Sequence, residues 1–325
     1  MAVLAKQPFP ARPPMKVFKP KCPEIPKLDS YQAGADDKFW EVFPKNLDLE
    51  GEPPYKIDAG LLYRRSVEAG CTQLDLLEKV CQDICEGCDY RVNELRLPVT
   101  WSRNAPSAIE EGEKVTDAIA LLVKQQIVAG LFVTAPPNVI VNSIMATPKP
   151  TGAVRIIVNQ SSPVGCSVND HIDVSGWDYE TKMGGVKDLL RAINATGHGA
   201  LLAKIDWNNV YKHFQVNSSN QRFNYFKWLD RLFIELCLVF GNINSAGIYD
   251  HGARCVKNCV INETGFLSHM AVQHLHDMCA VGRADTRELE MFYTAYRQFC
   301  SDLGISLAPT DTRTKPLAQP PGENC

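Results

Sequence analysis

Apolar positions along the chain fall into two periods, and the switch between them marks out the elements. Over residues 66–86, Leu74, Leu76, Leu77, Val80, Cys81, Ile84 and Cys85 recur at helical spacing, and Gly87 supplies a stop. Residues 107–129 (SAIEEGEKVTDAIALLVKQQIVA) predict a second helix, with Asn104 or Ser107 as its cap, acids in its first turn and Gly130 as its end. The stretch VIVNSIMATPKPTGAVRIIVNQ sets two apolar runs on either side of PKPTG and predicts a hairpin. A helix over 186–195 follows Gly184-Gly185. Next comes a strand that ends at Asp206 and passes into a short turn or helix. FNYFKWLDRLFIELCLVF predicts two strands joined near Leu229-Asp230. A helix over 245–260, a strand–turn–strand in QHLHDMCAVG and an amphipathic helix in ELEMFYTAYRQFCSDLG, closed by Gly304, complete the series. No internal repeat is visible.

Mixed strands and helices in this order predict an α+β architecture, an antiparallel sheet with helices packed on one face. Residues 1–55 are rich in proline and lysine without periodicity and are expected to be a flexible extension. Residues 56–94 form a helical N-terminal segment, 95–316 the main body, and 317–325 a short tail.

Composition changes little in this picture. The 325 residues are 45% hydrophobic and 22% charged, as in an ordinary globular protein, and the net charge of −3 gives no global support for nucleic-acid binding. No apolar run is long enough to predict a membrane span, and no secretory signal is evident. The 12 cysteines are scattered through helix-like and strand-like patterns, which predicts reduced thiols in an intracellular protein. A structural zinc on Cys71, Cys81, Cys85 and Cys88 is disfavoured because three of the four lie within one helical pattern.

Chemistry concentrates at three polar tips. Asp206 ends one strand, Phe240-Gly241 opens a turn before a helix, and His276-Asp277 sits at a hairpin tip. A strand-end acid beside an acidic hairpin tip suits divalent metals used in phosphoryl transfer, because magnesium prefers oxygen ligands. Taken alone, Asp206 is more simply a strand-end acid, Tyr211 a core residue, Lys149 and Arg155 solvated hairpin charges, and Gly241 an ordinary turn glycine.

In order and spacing, KIDWNNVYKHFQV, LCLVFGNINSAGIYD and QHLHDMCAVG resemble the motifs of reverse transcriptases. PKPTGAVRIIVNQSSPVGCSVND resembles the fingers hairpin of that family, and YRQFCSDLGISLAP the helix and strand after the catalytic hairpin. The resemblance covers about residues 95–316 and is strongest to reverse transcriptases of eukaryotic retrotransposons, with the DIRS-like group as the candidate subgroup. It implies a fingers-and-palm fold, two magnesium (or manganese) ions, deoxynucleoside triphosphates as substrates and an RNA or DNA primer–template as partner. It also implies roles. Asp206 and Asp277 are metal ligands, and Tyr211 is the aromatic gate under the incoming sugar. Lys149 and Arg155 hold the triphosphate, Phe240 and Gly241 form the turn beneath base and sugar, and Lys315 lies late in the chain near the triphosphate.

The sequence departs from the family at two places. Relatives carry two aspartates where this chain has His276-Asp277, and the chain ends at Cys325, which leaves no room for a thumb or a ribonuclease H domain. As the third residue of the catalytic set, His276 reads as a metal ligand with altered preference, since imidazole suits zinc or manganese better than magnesium, as a substituted ligand that has ended catalysis, or as the mark of a decayed gene copy. Because imidazole removes charge that two divalent ions need, reduced or lost activity is expected. The rival expectation is a non-catalytic nucleic-acid-binding protein, or an inert retroelement remnant, that keeps the polymerase fold.

Overall fold

The computed structural model describes residues 55–93, 99–135, 138–174, 180–275 and 277–308. His276, Lys315, residues 1–54 and the 317–325 tail lie outside the described residues. Among the described residues there are seven α-helices, α1 (Ala59–Glu68), α2 (Leu74–Glu86), α3 (Pro106–Glu110), α4 (Gly112–Lys124), α5 (Val186–Thr196), α6 (Ser245–Thr264) and α7 (Glu288–Asp302). The strands are β1 (Val128–Phe132), β2 (Val141–Pro148), β3 (Val154–Asn159), β4 (Ala200–Asp206), β5 (Tyr225–Trp228), β6 (Arg231–Glu235), β7 (Ala271–His274) and β8 (Asp277–Arg283). The protein is α+β, and no described helix is long and apolar enough to cross a membrane.

Two expected helices divide. The pattern over 66–86 is split between α1 and α2, because the chain leaves the helix at Gly70, whose φ of 79° lies in the left-handed region. The expected stripe from Leu74 onward belongs to α2 alone, while α1 buries Ala59, Leu62 and Ser66. The span 107–129 is likewise not one helix. The chain breaks at Glu111 between α3 and α4, and α4 ends before Gln126, where φ is 55°. The apolar run beyond it becomes β1, paired with β6 through Val128↔Glu235 and Ala129↔Ile234. β-branched Ile127 and Val128 suit a strand, and their ladder partner lies far away in sequence. Gly130 is therefore not a helix end. It sits in β1, where an added Cβ would come within 2.1 Å of the Phe233 ring.

The first sheet has the order β1-β6-β5-β2-β3. All its pairs are antiparallel except β2 with β5, which is parallel. β2 lies between β5 and β3 and is largely buried from Val141 to Ala146, as expected of an inner strand, before it runs out to the exposed hairpin tip. One core cluster unites Val115, Ile119 and Val123 of α4 with Ile144, Val158, Phe226 and Phe233 of this sheet. A smaller cluster, Val141, Tyr225, Leu232 and Ile234, forms apart from it.

The second sheet has the order β4-β8-β7, all antiparallel. α7 packs on β4 and β8, and α6 packs on α7. Gly282 of β8 allows this approach, since an added Cβ would meet Leu289 at 2.6 Å. Phe292, Tyr296 and Phe299 of α7 are fully buried with Met278 and Ala280 of β8. Each such side chain contributes about 1.5–3 kcal/mol by burial. Alternation along β8 then sends Asp277 and Cys279 to the opposite face.

Candidate active site

The site is built where β4 ends. Asp206 lies directly opposite Asp277 in the antiparallel β4–β8 ladder. Facing residues in such a ladder project to the same side, so the two carboxylates share one face and sit within reach of one cation. Trp207, the next residue, is turned to the other side and donates its indole N–H to the Tyr296 hydroxyl at 3.0 Å, anchoring the strand end to α7. The chain after α7 returns alongside: Ala308 N–H donates to the Asp206 carbonyl at 2.8 Å, and Trp207 bridges to Leu307. The Asp206 backbone is thus held from both sides.

Past Asp206 the chain reverses at Asn209, a non-glycine residue at φ 50°, and enters a short 3₁₀ helix, Val210–His213. Asparagine tolerates this left-handed geometry better than most residues. The turn delivers Tyr211 into an aromatic cluster. Its ring meets Phe240 edge to face at 4.7 Å and Tyr249 of α6 at 6.2 Å, and Tyr249 in turn meets Trp207 at 5.4 Å. Burial raises the Tyr211 pKa, so its hydroxyl stays protonated. Burial raises that of Tyr249 further, with the Asp206 charge among the groups that add to it. Tyr249 therefore links the carboxylate end of the site to its aromatic end.

Phe240 is 38% exposed and caps this cluster. The Arg155 guanidinium from β3 lies 5.1 Å from the Phe240 ring centroid, a cation–π geometry. Lys212 approaches the same ring at 5.9 Å and forms a buried ion pair with Glu235 of β6. Burial pulls the Lys212 pKa down to about 8, with a smaller opposing effect of Cys237 and a further downward push from the Arg155 charge.

Gly241 follows Phe240 at a close backbone crossing. An added Cβ would lie 2.0 Å from the Val158 carbonyl oxygen and 2.8 Å from the Gln160 nitrogen. Asn169 locks the turn: its Nδ2 donates to the Gly241 carbonyl at 2.7 Å, and its Oδ1 accepts from Ile243 N–H at 3.1 Å. Beneath it runs a buried amide network. Asn242 donates to Gln160 at 2.7 Å, Gln160 donates to Asn224 at 2.8 Å, and Asn224 donates to the Glu235 carbonyl at 2.8 Å. Such a network fixes the turn against the first sheet, because each buried polar group left unpaired costs stability.

Of the sequence-derived residues, the structure brings Asp206 and Asp277 together on one ladder, and Arg155, Tyr211, Phe240 and Gly241 around one turn. Lys149 is exposed at the tip of the β2–β3 hairpin, where its N–H donates to the Ala153 carbonyl at 2.8 Å. His276 and Lys315 lie outside the described residues.

Sequence reasoning missed Lys204. Two positions before Asp206 on β4, it projects to the same face, and its ammonium lies 2.9 Å from an Asp277 carboxylate oxygen. That contact raises the Lys204 pKa, against a smaller opposing effect of burial. The alternation of β4 carried the signal, since residues two apart share a face. Missed as well were Lys212, Tyr249 and Asn169, whose partners are all distant in sequence.

Two carboxylates in register suit one hard divalent cation such as Mg²⁺ or Mn²⁺. Among the described residues, no group of three or more His, Cys, Asp or Glu side chains forms that could hold a metal. The two described carboxylates fit one divalent ion.

No known protein family matches the chain, and no curated protein matches it. Similar solved structures are protease–reverse transcriptases of foamy viruses. That of prototype foamy virus is 12% identical, with 78% of this chain and 33% of that one covered and a TM-score of 0.49. A foamy viral protease–reverse transcriptase in complex with double-stranded DNA is 13% identical, with 82% and 44% covered and a TM-score of 0.49. A second such DNA complex is 13% identical, with 78% and 51% covered and a TM-score of 0.47. The chain thus spans from 33% to 51% of the length of these structures.

Proposed function

We propose that the chain is a reverse-transcriptase-type fingers-and-palm unit, of the kind carried by eukaryotic retrotransposons of the DIRS-like group, with an impaired nucleotidyl-transfer site. Its ancestral reaction is RNA-templated DNA synthesis from deoxynucleoside triphosphates on a primer–template. The observation that carries this reading is the register of Asp206 against Asp277, beside the turn that joins Arg155, Tyr211 and Phe240.

In this reading Asp206 and Asp277 hold Mg²⁺ or Mn²⁺. When bound, such ions favour ionisation of the primer hydroxyl and offset charge on the departing pyrophosphate. Arg155 receives triphosphate oxygens, for which its planar fork is suited. Tyr211 and Phe240 form the floor under sugar and base, and Gly241 leaves room for the backbone crossing that sets that floor. Lys149 adds positive charge at the hairpin tip, and Lys315 adds it from the C-terminal side. Impairment follows from the His276 substitution, which removes one of the acids that two divalent ions need.

A second reading, a non-catalytic nucleic-acid-binding protein, is favoured by the Lys204–Asp277 ion pair, which sets a cation on one of the two carboxylates. Single-nucleotide addition to a primer–template in Mg²⁺ and in Mn²⁺ decides between them. Slow addition in Mg²⁺ with a gain in Mn²⁺ supports the impaired enzyme. No addition in either metal, with primer–template binding that weakens as salt rises, supports the binding protein. Neither addition nor binding leaves an inert remnant.

A further inference from the structure

We propose that the Lys204 ammonium is the resident cation of the β4–β8 carboxylate pair, so that this face takes up one divalent ion and resists a second. The inference rests on the reading of Asp206 and Asp277 as metal ligands and adds a residue that sets how many ions they accept. The geometry is direct. Asp206 and Asp277 face each other across the ladder, and Lys204 is diagonal to Asp277 on the same face, with its Nζ at 2.9 Å. The Lys204 side chain is 54% exposed and that of Asp277 32%, so the pair lies at the surface, although the Asp277 oxygen that meets the ammonium is itself covered.

The charge count gives the consequence. Two carboxylates carry two negative charges, and Lys204 returns one positive charge to the same face. An ammonium already seated on Asp277 weakens the field there for a first divalent ion and more so for a second. A second ion near Asp277 would have to displace the ammonium or sit within a few ångströms of it. The affinity at stake is modest, because the pair is partly exposed to solvent. A divalent ion feels the lysine charge twice over, however, so neutralising Lys204 should tighten its binding roughly fivefold to tenfold.

The test counts ions and needs no polymerase activity. Mn²⁺ binding to the full chain is followed by the loss of the free Mn²⁺ paramagnetic resonance signal. The unmodified protein, Lys204→Gln, Lys204→Arg, Asp206→Asn and Asp277→Asn are compared at one ionic strength. The expected result is one weak site in the unmodified chain. Lys204→Gln should bind roughly fivefold to tenfold tighter or take a second ion, Lys204→Arg should match the unmodified chain, and Asp206→Asn should lose the site. Unchanged binding in Lys204→Gln, with loss in Asp206→Asn, overturns the role of Lys204 and leaves the ligand assignment standing. An equal gain in Lys204→Gln and Lys204→Arg also overturns it, because arginine keeps the charge. Binding that survives both Asp206→Asn and Asp277→Asn overturns the ligand assignment itself, and the inference with it.

Discussion

The Tyr211 and Phe240 rings meet edge to face with their centroids 4.7 Å apart, and Arg155 lies over the Phe240 ring. One residue comes from the 3₁₀ turn after β4, one from the turn before α6, and one from the β2–β3 hairpin. An edge-to-face aromatic pair adds about 0.5–1.5 kcal/mol beyond its buried area, and a cation–π contact at a partly exposed ring about 0.5–1 kcal/mol. This small cluster therefore couples the two sheets at the place where a nucleotide is proposed to lie.

Removing Arg155 tests whether that coupling serves a ligand. Arg155 is exposed and bears on Phe240 from the hairpin side. Arg155→Ala should weaken deoxynucleoside triphosphate binding about tenfold, the loss of one charge-assisted phosphate contact, and leave primer–template affinity nearly unchanged. Fluorescence titration with each ligand reads both. Equal losses would make Arg155 a general phosphate contact or a structural residue.

Gly241 predicts a stability effect from geometry alone. The nearest obstruction to a Cβ is the Val158 carbonyl at 2.0 Å, which is backbone and cannot rotate away. Gly241→Ala should therefore cost about 3 kcal/mol or more and disturb the Phe240 floor. Gly152→Ala is a control, because no atom lies within 4 Å of its added Cβ and only its φ of 83° opposes the change. Urea denaturation of the two variants should place Gly241→Ala clearly below Gly152→Ala.

The Lys212–Glu235 pair is nearly out of solvent and joins the 3₁₀ turn to β6. Removing one partner leaves the other charge buried, a loss of about 3–5 kcal/mol, whereas replacing both with apolar side chains can be close to neutral. Glu235→Leu alone should destabilise the protein far more than Lys212→Met with Glu235→Leu. If the double variant is as unstable as the single one, the pair matters through packing and not through charge.

His213 predicts a pH dependence. Burial lowers its pKa to about 4, against backbone hydrogen bonds to Asn208 and Ser306 that raise it. An unfolded histidine titrates near 6.5. Between these values the unfolded chain holds a proton that the folded chain does not, so stability falls as pH drops from 6.5 toward 4 and is fully present above 6.5. The slope owed to this group approaches about 1.4 kcal/mol per pH unit. His213→Phe retains a ring beside Tyr55 and Trp207 and should lower the slope of unfolding free energy between pH 5 and 6.5 by about that amount. An unchanged slope would mean that His213 is protonated in the folded protein.

What was legible in the sequence was local. The period-2 runs around PKPTG and Leu229-Asp230 became the β2–β3 and β5–β6 hairpins, because turn residues and alternation act over a few positions. The strand ending at Asp206 and the hairpin strand opening at Asp277 were legible for the same reason. Contacts set by the ladder were not. Val128 reads as the end of a helix until Glu235 pairs with it, and the parallel pairing of β2 with β5 has no local signature. Lys204 reads as a solvated charge until register places it beside Asp277. The amides of Asn169, Gln160 and Asn224 read as loop polarity, although they carry the turn that seats Gly241.

The proposed loss of an acid at position 276 makes the sharpest prediction about activity. Asp206 and Asp277 supply two negative charges, and Lys204 offsets one of them. A third carboxylate at 276 would restore a net charge that two divalent ions tolerate. His276→Asp should therefore raise single-nucleotide addition in Mg²⁺. If the missing acid costs about 4 kcal/mol of transition-state stabilisation, the gain is on the order of a thousandfold, less whatever the ion pair at Asp277 withholds. Manganese accepts nitrogen ligands more readily, so it should narrow the gap between the unmodified chain and His276→Asp. Addition of one nucleotide is the right measurement, since it does not depend on processivity. Brisk Mg²⁺-dependent addition by the unmodified chain, unaffected by His276→Ala, would show that position 276 is not where the acid is missed.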